Sequence, residues 1–122
     1  MSRINVFVNN RKLEAELNNT ETAKKIYQSL PIKSEGSFWG NEIYFEIPLR
    51  LENEKPTEDI RVGDLAYWPE GCSLCIFYGK TPASTNDAPK PASPITLVGR
   101  VRGDLEGLKK IHQAKIKITK AQ

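Results

Sequence analysis

The sequence predicts a mainly β protein: a closed antiparallel β-barrel with two short helices, built as a single domain over residues 1–122. Three observations carry that prediction. Short apolar segments with period-two alternation recur along the chain, only two segments show helical spacing, and turn-forming residues separate the pieces without any internal repeat. Closing so many short strands into a cylinder gives each a partner on both sides.

The first strand is Ile4-Asn5-Val6-Phe7-Val8. Asn9-Asn10 supplies the positive φ angles of a tight hairpin turn, and Leu13, Ala15 and Leu17 alternate with Glu14 and Glu16 on the returning strand. Asn19 or Thr20 caps a helix in which Ala23, Ile26, Tyr27 and Leu30 form the apolar stripe, and Pro31 ends it. Period two returns at Glu42–Ile47, with Ile43, Phe45 and Ile47 on one face and Glu42, Tyr44 and Glu46 on the other. The polar run from Glu52 to Asp59, broken by Pro56, reads as a loop.

Asp64–Trp68 and Ser73–Tyr78 are two further strands joined by a turn through Pro69-Glu70-Gly71. Both are apolar on both faces, so something covers their outer side or a pocket lies there. Residues Gly79 to Pro94 are rich in Pro, Ala and Ser and lack periodicity, the mark of a long loop that is either functional or disordered. Ile95–Val101 is the next strand. Asp104 caps a second short helix that buries Leu105, Leu108 and Ile111, and Lys115–Thr119 closes the chain as an alternating strand.

Composition narrows the class. The chain has 122 residues, 39% of them hydrophobic and 27% charged, which suits one soluble core. No apolar run approaches the roughly 20 residues of a spanning helix, and the N-terminus lacks a secretion signal, so a cytoplasmic location with no membrane association is expected. The net charge is +3, with Arg100, Arg102, Lys109, Lys110, Lys115, Lys117 and Lys120 crowding the C-terminal part. That segment has no aromatic residues interleaved for base stacking, so a solvated lysine face is expected and nucleic acid is not an expected partner.

The C-terminal half carries a resemblance. G-D-L-A-Y-W-P (Gly63 to Pro69), C-S-L-C-I-F-Y-G-K-T-P (Cys72 to Pro82), I-T-L-V-G-R-V (Ile95 to Val101), a helix and K-I-K-I (Lys115 to Ile118) resemble the succession of strands in the cyclophilins. Trp39 to Pro48 (W-G-N-E-I-Y-F-E-I-P) and Gly63 to Pro69 are more similar still to small prokaryotic cyclophilin-like proteins of uncharacterised function. The resemblance implies a cyclophilin-like barrel whose ligand groove lies on the outer wall, between the Glu42 strand and the strands carrying Trp68 and Cys75. With Ile43 and Phe45 in the core, Tyr44 and Glu46 face that groove, and the matching positions add Trp68, Ser73 and Cys75.

The departures from the cyclophilins bear on activity. Cys75 stands where the resemblance implies a key Phe, Ile95 where it implies a His, and the loop Trp position falls near Ala83. The Glu42–Ile47 strand has neither the Arg nor the Gln of the isomerases. Rotation about an X–Pro bond has a barrier near 20 kcal/mol, and lowering it takes donors aimed at the amide. The function expected is therefore a binding module for a small molecule or short peptide, with the Gly79 to Pro94 loop as a lid. A weak peptidyl-prolyl cis-trans isomerase, or a subunit of a small-molecule enzyme, is the alternative.

Other chemistry finds little footing. Cys72 and Cys75 form a C-x-x-C, but it enters a strand rather than a helix N-terminus, so two structural thiols are expected. His112 is the only histidine, too few ligands for zinc, so no metal and no cofactor are expected. Gly79-Lys80-Thr81 has Leu74 where a P-loop needs its first Gly, and Pro82 follows. Glu42 and Glu46 stand roughly 13 Å apart along a strand, too far for a glycosidase pair. Together they flank Tyr44 as acceptors that could orient a ligand. No catalytic residue is assigned.

Overall fold

The computed structural model describes residues 2–121. Eight strands make the barrel: β1 (Arg3–Val8), β2 (Arg11–Leu17), β3 (Ile32–Phe38), β4 (Glu42–Glu46), β5 (Asp64–Trp68), β6 (Ser73–Phe77), β7 (Thr96–Arg102) and β8 (Ala114–Lys120). They close in the order β1-β2-β7-β5-β6-β4-β3-β8, every pairing antiparallel, with β8 sealing the ring between β3 and β1.

Period two fills the middle of the cylinder. Ile4, Val6 and Val8 of β1, Leu13 and Leu17 of β2, Ile43 and Phe45 of β4, and Ile116 and Ile118 of β8 all point inward and are buried. Tyr67 is the largest of the buried side chains. Its hydroxyl donates to the Leu49 carbonyl at 2.8 Å and accepts from the Leu51 amide at 3.0 Å. A buried phenol thus keeps its hydrogen bonds while pinning residues 49–51 against the barrel.

Helix α1 (Glu21–Gln28) lays Ala23 and Ile26 on the core. Thr20 is its N-cap, its hydroxyl accepting from the Ala23 amide at 3.1 Å. Glu54, from the polar loop, accepts from the Glu21 and Thr22 amides and the Thr22 hydroxyl. Those bonds hold its carboxyl below the ordinary range and complement the positive helix end. The hairpin turn has Asn9 at φ 56°, and its side chain bridges to Gln113 and Lys115.

Two expectations change. The second helix is not α-helical: Glu106–Lys110 is a short 3-10 turn, and so is Pro69–Gly71. Asp104 still accepts from the Gly107 amide at 2.9 Å and Leu108 is buried, but one tight turn suffices to bury it. The second change is β3, for which the sequence pattern gave no strand. Its residues are mostly polar, and Gly36 replaces a core side chain because a Cβ there would press on Ile43 and Ala114.

A register shift in β7 sets the curvature at the β2–β7–β5 junction. Leu65 opposes Gly99 while Ala66 opposes Leu97, leaving Val98 as an extra, buried residue. Asn18 ties the bulge down, its amide reaching the Val98 carbonyl and its side chain the Leu97 carbonyl. Gly99 abuts the Glu16 carbonyl so closely that no Cβ fits. Gly99→Ala is therefore expected to lower the unfolding free energy by about 1–3 kcal/mol. Urea denaturation of the two proteins measures this, and an unchanged midpoint would remove the bulge's role.

Candidate functional site

Strands β5 and β6 are buried on both faces, and the outer face explains why. Outside the cylinder Ala66, Cys75 and Phe77 form a second apolar cluster with Ile60 and Ile95, and Tyr44, Trp68 and Leu97 pack against it. Residues 60 and 91–95 cover part of this cluster. What they leave open is a cleft of about 210 Å³.

Strand register assembles the cleft. Tyr44 of β4 pairs with Cys75 of β6, and Glu42 pairs with Phe77, so all four side chains emerge on the outer face. Trp68 reaches in from β5 at the other end, and Trp39 from the β3–β4 turn. Pro91, Ala92 and Ile95 form the opposite wall. The Tyr44 and Trp68 rings stand 6.1 Å apart at 79°, an edge-to-face pair that makes a right-angled corner.

The wall from the long loop is braced. Trp68 Nε1 donates to Ser93 Oγ at 2.7 Å, and Ser93 Oγ donates to Glu70 Oε2 at 2.6 Å. Thr81 bonds to Ser84 and to the Lys90 carbonyl, and Ser84 to the Ala88 carbonyl, so the loop is cross-linked by its own side chains. Thr57 and Ile95 exchange backbone hydrogen bonds at 2.9 Å, and Asn53 holds both the Pro94 carbonyl and the Thr96 hydroxyl. These contacts fix the end of the loop that faces the cleft.

Of the residues expected from the sequence, Tyr44, Trp68 and Cys75 line the cleft together. Glu46 is exposed further along β4 and Ser73 is buried, its hydroxyl donating to the Gly71 carbonyl at 2.8 Å; neither is part of the lining. The acid that does line it is Glu42, only 5% exposed. The signal for it was the Glu42-Tyr44-Glu46 alternation. What alternation could not reveal is that Trp39 and the loop bury one glutamate and leave the other in water.

Burial dominates the electrostatics. It pushes the Glu42 carboxyl up to about 7, with a hydrogen bond from the Cys75 thiol pulling the other way. Burial, then the Glu42 charge, pushes the Cys75 thiol well above its ordinary range, so Cys75 is a donor rather than a nucleophile. Tyr78 is pushed up to about 12 by burial and by Glu42. No ion pair among the described residues engages Glu42. No cluster of three or more metal-ligating side chains occurs among the described residues either. Cys72, at φ 48°, and Cys75 are both free thiols.

Glu42 makes stability depend on pH in an unusual direction. Its folded-state value lies above the unfolded value, so the native protein holds the proton more tightly. The contribution is fully present below about 4.5 and lost as pH rises through about 7. The displacement from 4.5 to about 7 corresponds to about 3 kcal/mol. Urea titrations at pH 5 and pH 8 are expected to show that decline in the wild type and a flatter profile in Glu42→Gln. Equal slopes in both proteins would deny that Glu42 is buried.

Comparison with known proteins follows the architecture. The family described as Cyclophilin-like has a model that matches residues 2–119. A solved structure, the solution structure of the hypothetical protein AF2241 from Archaeoglobus fulgidus, superposes with a TM-score of 0.82 at 31% sequence identity. That match covers 98% of this chain and 95% of the archaeal one. No curated protein sequence matches.

Proposed function

Since the chain belongs to the cyclophilin-like family, we propose that it is a binding module whose outer-wall cleft takes a small molecule or one side chain of a short peptide. The observation that carries this reading is a buried carboxyl group set among aromatic walls and left open to a cavity. Above neutral pH a protein gains nothing in stability from such an acid, because burying the ionised form without a partner cation costs free energy. Apolar walls with a single convergent polar group are the ordinary composition of a ligand site.

Size limits the guest. At about 210 Å³ the cleft is smaller than the roughly 300–1,000 Å³ typical of drug-sized ligands. A single ring or one aliphatic side chain fills it. Prolyl isomerisation has less support, because the lining includes no arginine, glutamine or histidine to polarise an amide. The same lining favours holding a guest over transforming one. No described helix is long and apolar enough to cross a membrane, and the reading needs no membrane.

The test is a 15N-resolved NMR titration with a panel of ring-sized metabolites and short peptides. Shifts are expected to cluster at Tyr44, Trp68 and Cys75, and Trp68→Ala is expected to weaken the best binder by about five- to a hundredfold, since a stacked aromatic contributes about 1–3 kcal/mol by truncation. A panel that moves no resonance around the cleft would overturn the proposal. A parallel proline-peptide assay is expected to show no acceleration at micromolar protein.

A further inference from the structure

The cleft is chemically one-sided, and that asymmetry identifies the kind of guest it suits. Glu42 is the one acid of its lining, and the Cys75 thiol already donates toward it; Tyr44 and Trp39 add a hydroxyl and an indole N–H. The remaining lining residues are aromatic or apolar, with no lysine, arginine or histidine. The side chain that acts on Glu42 is Cys75 of β6, and Glu42 in turn acts on Tyr78 just beyond that strand; neither carries positive charge. The covering segment contributes Pro91, Ala92 and Ile95, which do not titrate.

An anionic guest would meet the acid and no counter-charge. A neutral guest can donate a hydrogen bond to Glu42 but brings no charge to balance the buried carboxylate. A cation meets every requirement at once: it pairs the buried carboxylate and presents its charge to ring faces, which attract cations. Resting on the binding reading above, we propose that the cleft accepts an organic cation, its ammonium group paired with the Glu42 carboxylate and its hydrocarbon part seated in the Tyr44–Trp68 corner. Because only the ionised acid pairs with the cation, affinity rises with pH, and at neutral pH binding expels a proton from Glu42.

Three probes of one shape test this: benzylammonium, benzyl alcohol and benzoate, followed by tryptophan fluorescence and calorimetry. Benzylammonium, which stays protonated between pH 6 and 8, is expected to bind at least tenfold more tightly than the alcohol at pH 8, and benzoate not at all. Its affinity is expected to rise about tenfold from pH 6 to pH 8, tracking ionisation of a group near 7. Calorimetry in buffers of different ionisation enthalpy is expected to register proton release at pH 7.

Glu42→Gln is expected to erase both the preference for the amine over the alcohol and the pH dependence. Should that variant not fold, the pH profile and proton release of the wild type decide alone. Equal binding of amine and alcohol with no pH dependence overturns the cation assignment and leaves the cleft a neutral-ligand site. Absence of binding by all three probes, together with a silent NMR panel, overturns the binding reading as well.

Discussion

The register between β4 and β6 is the constraint on which the rest of the molecule depends. Side chains alternate along a strand, so a slip of one residue would exchange the two faces of β4. Ile43 and Phe45 would leave the core, and Glu42 would enter it with no partner. Apolar burial on the inner face enforces the observed pairing of Tyr44 with Cys75 and Glu42 with Phe77. The cleft is thus positioned by the core, not by its own interactions, and a costly buried acid can be held in place by aliphatic packing behind it.

A second layer of packing completes the site from the other direction. β5 and β6 bury apolar groups outward as well as inward, and residues 91–95 close over that outer cluster. The Trp68–Ser93–Glu70 chain couples the cover to the turn between β5 and β6, so Trp68 is both a wall of the cleft and an anchor of the loop. Its indole N–H is already engaged, which leaves the ring itself as the surface a guest meets.

Much of this was legible in the residues. Alternation and apolar runs located seven strands, and the two-sided apolarity of β5 and β6 pointed to a covered outer face or a pocket. β3 was not legible, because one buried isoleucine among Lys33, Ser34, Glu35, Gly36 and Ser37 has no β signature of its own. Its strand state comes from pairing with β4 and β8. Parity offers the missing clue: strand directions can alternate around a sealed ring only if the count is even, so seven strands called for an eighth. At the site, Tyr44, Trp68 and Cys75 followed from pattern and resemblance. The contrast between Glu42 and Glu46 did not, since it depends on what loops lay over each. Sheet neighbours are equally invisible to local reading: Phe7 of β1 sits between Lys12 of β2 and Lys117 of β8.

Sealing the ring has one last consequence. In an open sheet the outermost strand offers unsatisfied amides and carbonyls, to which an extended peptide can add as one more strand. Here β8 occupies that position from both sides, leaving no backbone ladder to donate. A peptide guest therefore cannot be held by joining the sheet as a further strand, which leaves the cleft's side chains and the loops to select it. The same absence denies other copies of the chain a template for edge-to-edge polymerisation.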